Sequence, residues 1–204
     1  MALKIVLAVV IAYFLGAIPF GYIVSKVQGV DIMSQGSGNI GFTNVWRVMG
    51  IKSGIIVLVC DMAKGYLAAW IGLALAGANG AILAGIACIL GHTFNVFLRF
   101  KGGKGVASGA GVILCLSPLT FVICVVLLSV ITGTTRYMSL GSIITALSCP
   151  FIMFFLGEPW QYVVGIGICC VYVVYKHKAN ILRLMNGTEN KIGKRKDKPK
   201  ESER

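Results

Sequence analysis

The number of membrane passes is decided by residues 105–132, which read GVASGAGVILCLSPLTFVICVVLLSVIT. This stretch carries no charge, a lysine precedes it, an arginine follows it, and Ser117-Pro118 lies near its middle. Because basic residues favour the cytoplasmic side of a membrane, both ends should lie on that side and the stretch must cross twice. Proline is favoured at a helix start and disruptive inside a helix, which predicts two short helices at about 104–116 and 118–134.

The rest of the chain has the composition of an integral membrane protein. Of its 204 residues, 57% are hydrophobic and 13% are charged, whereas soluble domains carry about a quarter of charged residues. Helices hide backbone polar groups in lipid, and about 20 apolar residues cross a bilayer. Five further apolar segments approach this length, at about 4–26, 54–76, 80–97, 139–156 and 160–175. Together these segments predict an all-α, polytopic membrane helix bundle of about seven transmembrane helices, some of them short.

The basic residues predict the orientation of this bundle. Most of them lie in the connections 28–52, 99–104 and 134–137 and in everything after residue 175, whereas 77–80 and 157–159 hold none. Because basic connections favour the cytoplasm, the N-terminus should lie outside and the C-terminus inside. We expect 1–190 to form the membrane domain. The basic tail, 191–204, is expected either to be disordered or to rest on anionic lipid headgroups.

The formal net charge of +12 does not indicate a nucleic-acid partner. The basic residues lie between apolar segments and in the tail with little aromatic interleaving, which indicates membrane topology and anionic substrates. The seven cysteines all lie within apolar segments, form no C-x-x-C pair and are odd in number. We interpret them as packing residues rather than as metal ligands or disulfides.

Residues 36–44, GSGNIGFTN, form the first loop with chemical interest. Glycines permit conformations in which successive N–H groups share one concavity, and the Ser, Asn and Thr side chains add neutral donors. Thr43, Asn44 and Arg47 should lie at the start of a short helix, whose positive end favours an anion. The loop is therefore a candidate oxyanion cradle, and a flexible connector is the alternative.

Residues 100–108, FKGGKGVAS, form a second glycine-rich loop that leads into a helix. It lacks the spacing and the preceding strand of a nucleotide-binding P-loop. It does combine free N–H groups, a helix dipole and the cation of Lys104, which are the components of a phosphate site. The alternative is a basic loop that serves topology alone.

A third candidate site joins 136–142, RYMSLGS, to the segment that follows the last apolar helix. There His177, Asn180 and Arg183 are spaced i, i+3 and i+6, so a helix would place them on one broad face. The polar segment continues through 187–189. An amphipathic interfacial anchor is the alternative interpretation.

Asp61 and Lys64 are charged residues inside an apolar segment and can pair on one helix face. Such charges mark function or fix helix packing, and both interpretations are open. We interpret His92 as structural. The chain has no G-x-S-x-G, H-E-x-x-H or His-x4-Asp motif and only seven acidic residues, three of them after Asn190. This shortage of carboxylates disfavours metal-ion phosphoryl transfer, so no metal and no cofactor are predicted.

The motif residues form separated blocks along the chain. They are Asp31-Ile32, 36–41, Thr43-Asn44, Arg47, Asp61, Lys64-Gly65, Gly91-His92, Phe94, 100–108, Arg136-Tyr137, Ser139-Leu140, His177, Asn180-Ile181, Arg183-Leu184, 187–189 and 191–193. In this order they resemble the acyl-phosphate:glycerol-3-phosphate acyltransferases, the bacterial integral membrane family named PlsY, over nearly the whole chain. Met33, Phe42, Asn95 and Lys178 depart from the usual family residues, and none of them removes a group with an assigned role.

The resemblance implies an enzyme that transfers a fatty acyl group from acyl phosphate to the 1-hydroxyl of glycerol 3-phosphate. The implied products are 1-acyl-glycerol 3-phosphate (lysophosphatidic acid) and inorganic phosphate, with no coenzyme A or carrier-protein thioester. The implied location is the bacterial cytoplasmic (inner) membrane, with the active site facing the cytoplasm. The resemblance further implies the first acylation of phospholipid synthesis, and functional coupling to the enzyme that produces acyl phosphate.

These observations lead to a hypothesis for the site. The acyl-phosphate head is assigned to Ser37, Gly38, Asn39, Gly41, Thr43, Asn44, Gly102, Gly103, Lys104 and Gly105. Glycerol 3-phosphate is assigned to Arg47, Ser142, His177, Asn180 and Arg183. Catalytic roles are assigned to His177, Lys104, Ser142 and Asn180. The base is either His177 or the departing phosphate, and which loop holds which phosphate is also open.

A transporter or exchanger for an organic phosphate is the second candidate function. Transporters show internal repeats and broken helices near the midplane, whereas the polar motifs here are predicted to gather on one side of the membrane. A small membrane scaffold would explain the helices but gives no reason for the Gly, Lys and His blocks.

Overall fold

The computed structural model describes residues 1–193, and in that range every regular element is helical. The helices are α1 (Ala2–Ala17), α2 (Phe20–Val27), α3 (Phe42–Met49), α4 (Ile51–Thr93), α5 (Val106–Leu116), α6 (Pro118–Thr135), α7 (Met138–Phe155), α8 (Trp160–Lys176) and α9 (Lys178–Met185). A 3₁₀ turn covers Val96–Leu98. The all-α prediction is confirmed for the part of the chain that the structure describes. Most of the predicted tail, from 194 onward, lies outside the described residues.

The long apolar stretch divides where proline predicts that it should. α5 ends at Leu116 and α6 begins at Pro118, with Ser117 between them in an extended conformation. The Ser117 hydroxyl accepts a hydrogen bond from the Thr120 amide and so caps α6. Proline fits the first helical position because its missing N–H has no partner there. The predicted division into two short helices is confirmed.

Two predicted helices differ in detail from the structure. The first apolar segment, predicted as one helix over 4–26, is broken between α1 and α2 at Ile18-Pro19. Proline disfavours helical geometry in the residue before it, and Ile18 is extended. The segment predicted over 80–97 leaves the helix after Thr93, because the side chain of Asn95 accepts from the Phe97 amide and caps a separate turn.

α4 is a helical hairpin rather than one straight rod. Its geometry is non-helical at Ala76 and Gly77, and Gly77 has a φ of 65°, which glycine adopts without strain. The chain then returns along itself. The two halves approach so closely that a Cβ at Gly72 would overlap the backbone of Gly80. Small residues at such positions let helices pack by backbone contact within lipid.

The fold is that of a multi-pass membrane protein. Between residues 1 and 193, four helical stretches are long and apolar enough to cross a membrane, namely Ala2–Val27, Ile51–Leu98, Pro118–Thr135 and Met138–Phe155, while α5 and α8 are shorter apolar helices. Large apolar side chains such as Phe151, Phe155 and Val171 are exposed on the outside of the bundle. Extensive exposed apolar surface of this kind is typical of contact with lipid.

Contacts between loops define the two ends of the bundle. At one end the Lys104 loop meets α9 through Asn180, and Arg136 pairs with the backbone of Ile192. At the other end the turn between α5 and α6 contacts the α7–α8 loop through Ser117 and Glu158. The glycine-rich and basic connections therefore gather at a single end.

Candidate active site

Glu189 joins the two parts of the third predicted site, because its side chain contacts both α7 and α9. One carboxylate oxygen, Oε1, accepts hydrogen bonds of 2.7 Å from Asn180 Nδ2 and from the Ser139 hydroxyl. The other oxygen, Oε2, lies 2.7 Å from Arg183 Nε in an ion pair. The carboxylate is thus held by three donors from α7 and α9. Charge-assisted hydrogen bonds of this kind are stronger than neutral ones.

The end of α9 explains how Glu189 comes back to the helix that precedes it. Gly187 has a φ of 66°, the Thr188 amide donates to the Arg183 carbonyl, and the Gly187 amide donates to the Leu184 carbonyl. This pair of bonds is the Schellman arrangement that reverses the chain after a helix. The glycine turn thereby places Glu189 opposite Arg183 and Asn180.

Lys104 reaches the same network from the second glycine-rich loop. Its ammonium group donates a hydrogen bond to Asn180 Oδ1, so Asn180 connects Lys104 to Glu189. The sequence assigned both residues to one site, and the structure places them in contact. Both polar atoms of Asn180 are engaged, which makes this residue the positioning link between the cation and the carboxylate.

The amides of Gly102 and Gly103 have another role than the predicted one. They donate to the carbonyls of Thr93 and His92, at 3.1 Å each, and hold the loop against the end of α4. Gly105, with a φ of 83°, directly precedes α5, whose first turn has no side-chain cap. The groups at this loop that could hold an anion are therefore Lys104 and the positive end of α5.

Charge and burial set the protonation of the cationic cluster formed by Lys104, Arg47 and Arg183 around Glu189. The pKa of Lys104 is lowered to about 8, mainly through burial of the side chain. Glu189 opposes this shift, and the cations of Arg183, Arg47 and Lys176 contribute to it. Burial also lowers the pKa of Arg47, whose charge is felt by the same carboxylate. Several cations thus surround one carboxylate, which leaves an excess of positive charge suited to phosphate.

The carboxylate remains ionised in this setting. Burial alone would raise the pKa of Glu189, but hydrogen bonds from Asn180, Ser139 and Arg183 outweigh it, and the net shift is downward. A carboxylate that accepts several hydrogen bonds is stabilised in its charged form.

His177 lies between α8 and α9 and is only 3% exposed. Its Nδ1 lies 2.8 Å from the Val173 carbonyl, so Nδ1 carries the proton and Nε2 carries the lone pair of a neutral imidazole. Burial, and then the charge of Lys104, lowers the pKa of His177 to about 4. The ring is therefore neutral near pH 7 and able to accept a proton or a hydrogen bond at Nε2.

The first glycine-rich loop is built around Asn44, which is 2% exposed. Its side-chain oxygen accepts from the Ser37 amide, and its NH₂ group donates to the carbonyls of Gln35 and Asn39. Asn39 in turn accepts from the Gly41 amide through its side chain. Asn44 therefore shapes the loop from inside, whereas the Ser37 side chain stays exposed at its surface.

Two cavities adjoin the cluster. A polar one of about 370 Å³ lies beside α3 and is lined by Thr43, Arg47, Lys191 and Ile192 among others. An apolar one of about 100 Å³ lies among α5, α6, α7 and α8. Gly105 and Ser142 line this apolar cavity where it approaches the Lys104 loop.

Ser142 was predicted beside glycerol 3-phosphate, but it lies in the wall of the apolar cavity. Its hydroxyl donates to the Met138 carbonyl one turn earlier in α7, at 2.9 Å. The residue that contacts the charged network from this helix is instead Ser139. Ser139 and Glu189 lie in the ranges predicted for the third candidate site, but neither was assigned a role there. The signal that could have identified Glu189 is its position as the only acidic residue of the basic segment 176–193.

The fold and the site together define a class of protein: a multi-pass membrane protein with a group of cations beside an apolar cavity. Residues 6–187 match the family model described as glycerol-3-phosphate acyltransferase. A glycerol-3-phosphate acyltransferase of Carboxydothermus hydrogenoformans is 47% identical over 196 residues, which cover 95% of this chain and 99% of that protein. The protein of the same name from Bacillus subtilis is 38% identical, with 92% and 97% covered.

Solved structures agree with these sequence relatives. The crystal structure of PlsY (YgiH), an integral membrane glycerol 3-phosphate acyltransferase, in its glycerol 3-phosphate form has a TM-score of 0.90 at 37% identity, covering 93% of this chain and 96% of that one. Its lysophosphatidic acid form has a TM-score of 0.88. The chain belongs to the glycerol-3-phosphate acyltransferase family.

Proposed function

We propose that this protein transfers a fatty acyl group from acyl phosphate to the 1-hydroxyl of glycerol 3-phosphate. The observation that carries the proposal is the junction of the Lys104 loop with the apolar cavity at Gly105 and Ser142. A donor with a phosphate head at Lys104 would place the first part of its acyl chain in that cavity. The acyl carbonyl would then lie at the boundary between the charged cluster and the apolar wall.

The donor head is assigned to Lys104, to the first turn of α5 and to Ser37 and Thr43 at the surface of the first loop. Among the other predicted donor residues, Gly102, Gly103, Asn39, Gly41 and Asn44 would act by shaping the two loops, since their polar groups have partners within them. Gly38, with a φ of 68°, fits the same role because it turns the first loop. A preorganised loop and cation stabilise developing charge more than flexible groups do.

The acceptor phosphate is assigned to Arg47 and Arg183. The charges of Glu189 and Arg183 both shift the pKa of Arg47, so the two arginines share one electrostatic environment. The polar cavity beside Arg47 is large enough for a small phosphate ester. Arg183 keeps its remaining guanidinium nitrogens for an anion while its Nε pairs with Glu189. Planar guanidinium groups suit phosphate recognition because they present several donors in fixed geometry.

The reaction needs no covalent enzyme intermediate. The glycerol oxygen attacks the acyl carbon, the bond from that carbon to the phosphate oxygen breaks, and inorganic phosphate leaves with the electron pair. The hydroxyl proton passes to His177 Nε2 or to the departing phosphate. His177 is neutral near pH 7 in either case, and two bound phosphates would raise its pKa and so strengthen it as a base.

The membrane arrangement forms part of the proposal. The chain would cross about seven times, through α1–α2, the two halves of α4, and α5 to α8. The end that gathers the basic connections would face the cytoplasm, with the N-terminus outside. The enzyme would act in the bacterial inner membrane at the first acylation of phospholipid synthesis, coupled to the enzyme that supplies acyl phosphate.

Purified protein in detergent or lipidic mesophase tests the activity directly. Palmitoyl phosphate and glycerol 3-phosphate, without metal or coenzyme A, should give acyl-glycerol phosphate and an equal amount of inorganic phosphate. Lys104→Ala should abolish this product, while Lys101→Ala, which changes an exposed lysine of the same loop, should not. Product from palmitoyl-coenzyme A alone would contradict the donor assignment. A folded protein with no product, but with glycerol 3-phosphate uptake in liposomes, would favour the transporter.

A further inference from the structure

Asp61, Lys64 and His92 form a buried polar cluster inside the helical hairpin of α4. Their exposed fractions are 1%, 2% and 3%, so all three are removed from lipid and from water. Asp61 and Lys64 come from the first half of α4, and His92 lies near the end of the second half. Polar groups are costly within a membrane protein unless they meet partners, so their retention points to a role.

The Lys64 ammonium group is surrounded by three acceptors. Its Nζ lies 2.7 Å from Asp61 Oδ1, 2.9 Å from His92 Nδ1 and 2.9 Å from the Ile18 carbonyl at the break between α1 and α2. An ammonium group has three N–H donors, which this arrangement matches. With Nδ1 acting as acceptor, the proton of a neutral His92 is on Nε2.

The far side of His92 faces the Lys104 loop. A Cβ on Gly103 would overlap the imidazole ring at Nε2, and a Cβ on Gly102 would overlap the backbone carbonyls of His92 and Thr93. The loop amides donate to those same carbonyls. The residue after Gly103 is Lys104, whose ammonium group contacts Asn180. A continuous series of contacts therefore runs from Asp61 to the cation of the proposed active site.

We propose that Asp61, Lys64 and His92 are positioning residues. They hold the Lys104 loop so that the Lys104 ammonium group lies beside Asn180, in position for the reaction. The cluster does not touch substrate, and its effect on acyl transfer passes through the loop. This inference rests on the proposed function of Lys104. It assigns the intramembrane ion pair to the reaction rather than to helix packing alone.

A suppressor experiment tests the contact between His92 and the loop. Gly103→Ala should lose activity because its methyl group overlaps the imidazole ring of His92. His92→Ala removes that ring and so removes the overlap. The double variant should therefore have the activity of His92→Ala alone. Gly102→Ala is the matched control, since its methyl group meets backbone atoms that His92→Ala does not remove. The double variant Gly102→Ala with His92→Ala should therefore show the product of the two single reductions in activity. If the double variant Gly103→Ala with His92→Ala also shows the product of its two single reductions in activity, the inference is wrong.

A second experiment tests whether the ion pair acts through Lys104. Asp61→Asn with Lys64→Met removes both charges together and leaves no unpaired buried charge. This double variant should lower kcat/KM by about tenfold or more in the native background, yet have no further effect on the residual activity of Lys104→Ala or Lys104→Met. An undiminished kcat/KM would overturn the inference, as would an equal loss in both backgrounds.

Failure of the inference is distinguishable from failure of the proposed function. If the native protein makes no acyl-glycerol phosphate, the function itself is wrong. If the native protein is active and Lys104→Ala is defective, the function stands, and the two sets of variants judge the positioning role alone. Thermal unfolding of each variant shows whether lost activity reflects lost protein.

Discussion

Lys104 donates a hydrogen bond to the side-chain oxygen of Asn180, although 76 residues separate the two along the chain. The contact joins the glycine-rich loop before α5 to the short helix after α8. It fixes a flexible lysine side chain at one point of the cationic cluster. The chemistry proposed for the site depends on this contact, because a charge that is already in place needs little reorganisation when phosphate develops.

The alkaline limb of the pH profile should report Lys104. Because its pKa is lowered to about 8, the ammonium group loses its proton as the pH rises through that value, and the anion site loses a positive charge. We expect kcat/KM to fall above about pH 8. The alkaline limb of the kcat profile should lie at higher pH, since a bound phosphate favours the charged form of Lys104. Lys104→Arg, with its permanently charged side chain, should show no limb near pH 8.

Removal of the Glu189 charge should reduce both activity and stability. Glu189→Gln loses the ion pair to Arg183 and should lower the free energy of unfolding by about 1.5–3 kcal/mol, as for hydrogen bonds to charged groups. The pKa of Glu189 is lowered in the folded protein, so its stabilisation is present above the unfolded-state value and lost as the pH falls through the folded one. Melting curves of Glu189→Gln and the native protein should therefore differ at pH 7 and converge at low pH. A constant difference would contradict this account.

Replacement of His177 should separate base catalysis from positioning. His177→Asn keeps a polar side chain of similar reach but has no basic nitrogen. If His177 is the base, turnover should fall by more than about tenfold, or ~1.4 kcal/mol. Retention within that range would assign the proton to the departing phosphate. The measurement is single-turnover acyl transfer with saturating glycerol 3-phosphate.

Close packing between α4 and α5 should be sensitive to a single methyl group. A Cβ on Gly65 would overlap the backbone of Ser108, so Gly65→Ala must separate the two helices and should lower the melting temperature. Gly133 in α6 has open space around it, and Gly133→Ala should be neutral or slightly stabilising because alanine favours a helix. Equal melting temperatures for the two variants would show that α5 adjusts without cost.

Filling of the apolar cavity should change the use of long-chain donors. Ala146 lies in the cavity wall on α7, and Ala146→Phe would occupy much of its space of about 100 Å³. We expect the rate with palmitoyl phosphate to fall while the rate with a short-chain acyl phosphate changes little. A parallel decrease with both donors would place the acyl chain elsewhere.

Local signals in the sequence predicted most of the helices. Ser117-Pro118 was recognised because a proline and flanking charges lie within one segment. Pro19 gives a weaker signal, since the apolar run continues on both sides of it. The end of α4 at Thr93 was not predicted because it depends on Asn95, whose side chain also donates to the Ala17 carbonyl in another helix.

The loops of the site were predicted, but their partners were not. Spacing along α9 indicated that His177, Asn180 and Arg183 share a helix with polar function, and α9 is helical there. No local pattern shows that Asn180 meets Lys104 or that Ser139 meets Glu189, because helix packing decides those pairs. The same holds for Gly102 and Gly103, whose amides are taken up by the end of α4.

The shared wall of the apolar cavity and the Lys104 loop, at Gly105 and Ser142, has a consequence for side reactions. An acyl phosphate is as open to attack by water as by glycerol 3-phosphate. A long acyl chain that fills the cavity would close the apolar side of the carbonyl to water and leave only the acceptor's approach open. A short chain would leave the apolar side of the carbonyl accessible to water. Chain length would then govern the ratio of transfer to hydrolysis, and with it the fraction of each activated donor that ends as lipid.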